Sequence, residues 1–196
     1  MARVAFKPGT MIYPLPAVMI SCGESENEYN IATVAWTGTL CTDPPMCYIS
    51  LRKSRLSHEI ISRTKSFVIN LTTKELCKQT DWCGVRSGKD YKKFEETKLT
   101  PIKAPNVNAP YIDESPLCIE CQVVEIKELG SHDMFMAKVV GVLADERYID
   151  SESGLFDLES AELMAYSHGK YYSLGDRLGF FGYSIQKKST TKKRKK

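Results

Sequence analysis

The chain is short of the features that announce most nucleotide-binding and metal enzymes. Its 196 residues contain no Gly-x-Gly-x-x-Gly after an apolar run, no Gly-x-x-x-x-Gly-Lys followed by Ser or Thr, and no His-Glu-x-x-His. A Rossmann dinucleotide site, a phosphate loop and a zincin are therefore not expected. Histidine is scarce, with three in the whole sequence, and no metal is expected. No apolar run approaches the roughly 18 residues that span a bilayer. The opening MARVAFKPGT lacks the apolar core of a secretory signal, so no membrane association and a cytoplasmic location are expected. No internal repeat is present.

Paired cysteine is also lacking. The seven cysteines, at 22, 41, 47, 77, 83, 118 and 121, are odd in number and most have apolar neighbours, which fits reduced structural thiols. Cys118 and Cys121 match C-x-x-C but lie in the strand-like LCIECQVVEI, where residues three apart point to opposite faces. Without a second such pair or a nearby histidine this is a poor zinc site.

Basic charge is scarcer than the net +3 suggests. The last ten residues, KKSTTKKRKK, hold seven of the 27 cations, leaving 20 against 24 acids in the remainder. A nucleic-acid-binding body is not indicated. Residues 187–196 read as a disordered solvated end, the other reading being a tail that attracts polyanions.

What is present reads as one domain over residues 1–186, ample for a single core. Residues 17–22 form a short buried strand stopped by Gly23. Residues 31–36 and 46–51 are two more strands, parted by Asp43-Pro44-Pro45. Ser54 is placed to cap a helix in SRLSHEIISRT, with Leu56, Ile60 and Ile61 on one face. Residues 67–71 are a strand, and residues 72–75, TTKE, fit a capping box opening a helix toward Gly84. A long polar segment, residues 85–110, holds one helical turn near residues 91–96. Two long strands, residues 117–129 and 134–144, flank Gly130-Ser131-His132-Asp133 as an antiparallel hairpin. Strands in hairpins with few helices predict a mainly β (α+β) antiparallel barrel with peripheral helices.

The chemistry-bearing candidates cluster in residues 30–55, NIATVAWTGTLCTDPPMCYISLRKSR. Ser50-Leu51-Arg52-Lys53-Ser54-Arg55 puts three cations and two hydroxyls at a predicted helix start, which suits a phosphate and equally suits a solvated basic turn. Trp36 follows small residues that let a flat ring approach the backbone, and it also fits an ordinary core position. His132 reads either as a solvent-facing turn residue or as a functional one.

The strings around Pro14 and residues 17–20, residues 30–36, Pro44-Pro45, residues 50–55, residues 67–71, His132 and YYSLGDRLG at 171–179 together resemble the flavin reductase-like, FMN-binding split-barrel family, and within it the flavoredoxin type. The resemblance covers nearly the whole chain to about Tyr183. It implies FMN held noncovalently at a homodimer interface. Asn30, Thr33, Val34, Ala35 and Trp36 would lie along the ring, with Ser50, Arg52, Ser54 and Arg55 at the phosphate. Lys92 or Lys93 and His132 match further positions that approach the flavin. It implies NADH or NADPH as co-substrate and a free flavin, an iron centre or a redox protein as electron acceptor. No catalytic dyad is needed, because hydride transfer asks the protein chiefly to stack and orient two rings; His132 is the one catalytic candidate. A nonenzymatic FMN-binding carrier or storage protein is the alternative. His168 would line the nicotinamide side if the aromatic C-terminal segment folds over the cleft.

Overall fold

The computed structural model describes residues 1–185; the basic tail at 187–196 lies outside them. In chain order the elements are β1 (Leu15–Pro16), β2 (Val18–Cys22), β3 (Asn30–Val34), β4 (Thr37–Cys41), β5 (Met46–Leu51), α1 (Leu56–Thr64), β6 (Ser66–Asn70), α2 (Cys77–Val85), α3 (Lys93–Thr97), β7 (Pro101–Lys103), β8 (Pro110–Ile112), β9 (Leu117–Glu128), β10 (Asp133–Ala144), β11 (Met164–Ser167) and β12 (Lys170–Ser173). Seven strands form the main sheet in the order β3-β2-β6-β9-β10-β5-β4, with every pairing antiparallel. This is the mainly β architecture expected from the hairpins. Among the described residues no helix is long and apolar enough to cross a membrane.

One connection explains why the sheet curls. β3 and β4 are its two edges, yet only Ala35 and Trp36 separate them in sequence. Two residues extend about 7 Å, so the edges must meet there, and Ser50 N–H donating to Trp36 C=O ties the link to β5. The result is a half-barrel whose two edge strands are joined at one end by the chain itself.

The period-two pattern of the strands sorts side chains into two cores. Inside the barrel, Val18, Ile20, Ala32, Val34, Ile49, Leu51, Phe67, Ile69, Val123 and Phe135 meet Ile60 and Ile61 of α1, which plugs the open side. On the outer face Met19 and Ile31 are covered by Leu76, Cys83, Phe94, Leu99 and Ile112. β2 and β6 are therefore buried on both faces, and each large side chain so buried contributes about 1.5–3 kcal/mol. Cys118 and Cys121 belong to different cores, as the strand spacing requires. Cys121 Sγ instead sits 3.5 Å from Cys47 Sγ.

Several local expectations are corrected. β4 is a strand that the sequence pattern does not announce, because TGTLC has no apolar alternation and is mostly half-exposed or exposed. The N-cap of α1 is Arg55, without a side-chain cap, while Ser54 stands exposed in the preceding turn. The capping box does not form: Thr72 Oγ1 donates to Ala17 C=O, and Thr73 Oγ1 accepts from Leu76 N–H one turn ahead of α2. Beyond residue 155, for which the sequence predicts no element, the chain forms the β11–β12 hairpin, whose turn residues His168 and Gly169 have φ of 47° and 74°. Positive φ at both central positions suits the twist of a two-residue hairpin. β11 also pairs with β1, which sets this small sheet beside the mouth of the barrel.

Candidate functional site

A cavity of about 330 Å³ opens at the seam between the two sheet edges, a volume within the range of ligand sites. A larger concavity, about 890 Å³, runs along residues 158–183 and contains none of the candidates. Four elements wall the first cavity. The end of β3 and the seam supply Ala32, Thr33, Val34, Ala35 and Trp36. The end of β5 and the turn into α1 supply Ser50, Leu51, Arg52 and Arg55. One face of α2 adds Asp81, Gly84 and Val85 at i, i+3 and i+4, and His132 comes from the β9–β10 turn. Tyr166, Gly169 and Tyr171 of the β11–β12 hairpin, with Ala17, complete the wall.

Of the residues singled out from sequence, Thr33, Val34, Ala35, Trp36, Ser50, Arg52, Arg55 and His132 thus line one cavity. Asn30, Ser54, Lys92 and Lys93 do not. Asn30 is buried at the far end of β3, where its Nδ2 donates to Ser57 Oγ at 2.8 Å. Three residues of strand, about 10 Å, separate it from Thr33. Ser54 points to solvent. Lys92 is exposed and paired with Glu95 at 3.1 Å. Lys93 is buried behind α2, its ammonium donating to Cys83 C=O at 2.6 Å. His168 stays outside, its ring 4.4 Å from that of Tyr13, although its neighbour Gly169 reaches the cavity.

The cavity is polarised along its length. At one end Arg55 donates through Nη2 to Gly84 C=O at 2.6 Å, and Arg52 stands nearby on the same turn. The start of α1 carries no side-chain cap, so its first N–H groups add a partial positive charge there. One turn before Gly84 on the same face of α2, Asp81 Oδ1 accepts from Tyr171 Oη at 3.2 Å. Burial and the Asp81 carboxylate push the Tyr171 phenol well above its usual range. The Trp36 and His132 rings, also on the cavity wall, lie parallel within 5°, centroids 6.4 Å apart. Burial and then the Arg52 charge lower the His132 pKa, with Asp133 opposing. Both causes favour the neutral imidazole over the imidazolium. Ser131 Oγ sits 2.9 Å from its Nδ1, and His58 Nε2 meets the buried Asp133 Oδ2 at 2.8 Å just behind the turn.

Close packing behind the wall is enforced by glycine. A Cβ on Gly84 would come 3.2 Å from Thr33 Cβ, and one on Gly88 would fall 2.2 Å from Asn30 Oδ1. Lys93 adds a second layer of positive charge: burial lowers its pKa to about 8, with Arg55 as a further depressing cation. Two cations held in proximity in a poorly hydrated place favour an anion beside them.

Asp81, Gly84, Val85, Tyr166, Gly169 and Tyr171 were missed in the sequence. The first three had a signal, the helical spacing of a polar residue and a glycine in one predicted helix. The hairpin residues had a weaker one, the aromatic density after residue 165.

The model of the flavin reductase like domain matches residues 10–175 of this chain. Flavoredoxin of Desulfovibrio vulgaris (Miyazaki F) superposes with a TM-score of 0.87 at 26% identity, over 94% of this chain and 100% of that one. A putative flavin reductase with a split-barrel domain from Shewanella frigidimarina gives a TM-score of 0.77 at 26% identity, over 87% and 86%. An uncharacterized protein of Archaeoglobus fulgidus is 28% identical over 162 residues, 83% of this chain and 89% of its own. The curled sheet, the seam cavity and these matches agree, and the chain belongs to the flavin reductase-like family of split-barrel proteins, flavoredoxin type.

Proposed function

We propose that the chain binds FMN noncovalently in the seam cavity and works as an oxidoreductase. In this reading it takes reducing equivalents from NADH or NADPH and hands them to a flavin, an iron centre or a redox protein. The observation that carries the reading is the polarity of one cavity: an arginine pair at an uncapped helix start, and, along the same wall, a small-residue strand end facing parallel aromatic rings. A flat heteroaromatic ring with a phosphate tail matches that sequence of surfaces.

The residues divide the work. Ala32 and Ala35 let the ring approach the backbone, and Trp36 and His132 flank it. Arg55, fixed by Gly84 C=O, presents its remaining N–H groups to the phosphate, and Arg52 adds charge. Lys93, from behind, raises the local potential without touching the cavity. FMN, when bound, supplies the two-electron chemistry. The lowered basicity of His132 disfavours a further cation beside Arg52.

Two copies are proposed to make up the working unit. β9 and β10 expose Val124, Val140 and Val142 on neighbouring strands, and the edge strand β4 exposes Leu40. Covering such a face is a common reason for a symmetric dimer. Sedimentation at micromolar concentration is expected to give twice the chain mass.

Titration of the protein with FMN, followed by flavin fluorescence, is expected to saturate at one flavin per chain, and the complex is expected to oxidise NADH or NADPH when an acceptor is present. Absence of saturation would remove the flavin reading. Saturation without oxidation of either donor would leave a carrier reduced by a partner protein.

A further inference from the structure

The chain begins with an apolar arm that nothing in its own fold covers. Residues 1–12 are all exposed and belong to no helix or strand. No hydrogen bond or ion pair ties any of them to another described residue. Within that arm Val4, Phe6, Met11 and Ile12 are 80%, 82%, 59% and 83% exposed. Large apolar side chains gathered in one exposed segment mark an interaction surface.

A surface that matches the arm lies at the other end of the same chain. The concavity of about 890 Å³ along residues 158–183 has an apolar wall of Leu158, Leu174, Leu178 and Phe180, and these are between 45% and 94% exposed. Its charge is acidic, with Glu159, Glu162 and Asp176 against one cation, Arg177. Arg177 is paired with Glu159 at 3.2 Å, and Lys74 stands 3.9 Å from Glu162. Asp176 has no ion-pair partner among the described residues. The arm carries Arg3 and Lys7 and no acid, so arm and groove are complementary in both polarity and charge.

Topology points the arm away from its own groove. β1 pairs with β11 in the register Leu15 to Tyr166 and Pro16 to Ala165. Traced back from Leu15, the chain therefore runs toward the His168–Gly169 turn, and the Tyr13 ring lies 4.4 Å from that of His168. The arm leaves at the tip of the β11–β12 hairpin. The groove lies at its root, where Leu163 precedes β11 and Ser173 ends β12. Four strand residues, about 13 Å, separate the two points. Twelve extended residues reach up to about 40 Å, enough to cross to the same groove on a neighbour.

We propose that residues 1–12 dock in the 158–183 groove of a second copy, and that the exchange is reciprocal. A two-fold axis lets each chain give one arm and accept one, so neither apolar surface is left over. The inference rests on the proposed pairing of two copies and names the segments that clasp them; FMN has no part in it.

The test mixes heavy-nitrogen-labelled and unlabelled protein in equal amounts, with native mass spectrometry confirming that the copies have exchanged. A carbodiimide then joins amines to carboxylates in direct contact. Peptides linking Lys7 to Glu159, Glu162 or Asp176 are expected, about half of them pairing a heavy with a light chain, as random assortment of two copies requires. Links confined to like-labelled chains, or no link at all, would overturn the inference. In sedimentation, deleting residues 2–12 is expected to raise the dissociation constant of the pair at least about tenfold. Lys7→Glu and Asp176→Lys are each expected to weaken the pair, and the double variant to regain part of the loss. A deletion variant that pairs within twofold of wild type would overturn the arm exchange and leave a dimer joined through β9 and β10. A wild type that stays monomeric at micromolar concentration would overturn both, whatever its affinity for FMN.

Discussion

The indole of Trp36 and the imidazole of His132 face each other with planes 5° apart and centroids 6.4 Å apart. One belongs to the two-residue link between the sheet edges, the other to the turn between the two longest strands, so the barrel must close before the pair exists. Replacing Trp36 by Ala removes the larger ring and opens the seam to water. FMN affinity is expected to fall about tenfold or more, because stacked aromatic contact and its area together exceed 1 kcal/mol. Fluorescence titration reads the change, and an affinity within twofold of wild type would remove Trp36 from the site.

The protonation of His132 is tied to Arg52. Burial lowers its pKa first and the guanidinium second. Arg52→Ala deletes the second cause, so the pKa is expected to rise toward the ordinary 6.5 while remaining below it. Proton NMR of the three imidazoles across pH 4 to 8 checks this. A His132 resonance that titrates identically in both proteins would mean that the charge is screened by solvent.

Gly88 is required by Asn30. An added methyl would sit 2.2 Å from Oδ1 and 2.8 Å from Nδ2 of a carboxamide that is itself buried and bonded to Ser57. Neither side can yield cheaply, and Gly88→Ala is expected to cost about 1–3 kcal/mol in chemical unfolding. Combining it with Asn30→Ala removes the clash, so the double variant should be more stable than the sum of the two singles. Strict additivity would show that the clash is relieved by backbone movement.

These positions also mark how far the sequence could be read. Strands with one clear apolar period, such as the pair flanking His132, were legible because alternation follows from which face is buried. So was the stretch from Thr33 to Arg55 as a wall, since its residues are neighbours along the chain. β4 was not, because an edge strand of small and polar residues is held by ladder bonds that leave no pattern. Asn30 and Lys93 carried the right chemistry in the wrong layer: a side chain's place in front of or behind a wall depends on packing by α1 and α2, which no local spacing records. Asp81 and Tyr171 meet only through the return of the chain after residue 163, and that contact has no signal in either segment alone.

Arg55 separates binding from folding. Its guanidinium reaches Gly84 C=O while the rest of the fork faces the cavity. Arg55→Ala is expected to weaken FMN binding by about 1.5–3 kcal/mol, the worth of hydrogen bonds to a charged group, with a smaller change in unfolding free energy. Arg55→Lys keeps the charge but not the planar fork, and should recover only part of the loss. A comparable loss for riboflavin, which lacks the phosphate, would contradict the assignment of this end.

Lys93 predicts a dependence of stability on pH that is opposite to that of a salt-bridged cation. Its pKa is lowered from 10.5 to about 8 in the fold, chiefly by burial. Below pH 8 the ammonium is charged in both folded and unfolded chains, and the full cost of burying it is present, about 3 kcal/mol for a shift of this size. Between pH 8 and 10.5 the folded chain has released its proton while the unfolded chain still holds one, so stability from this group rises with pH. Lys93→Met removes the charge and leaves Cys83 C=O without its donor. The variant is therefore expected to gain about 1–3 kcal/mol at pH 7 and to show little or no gain at pH 10.5, as read from urea unfolding at the two values. Its affinity for FMN should drop at pH 7, since the positive potential behind Arg55 is gone. A variant less stable than wild type at neutral pH would mean that the hydrogen bond to Cys83 outweighs the burial of the charge.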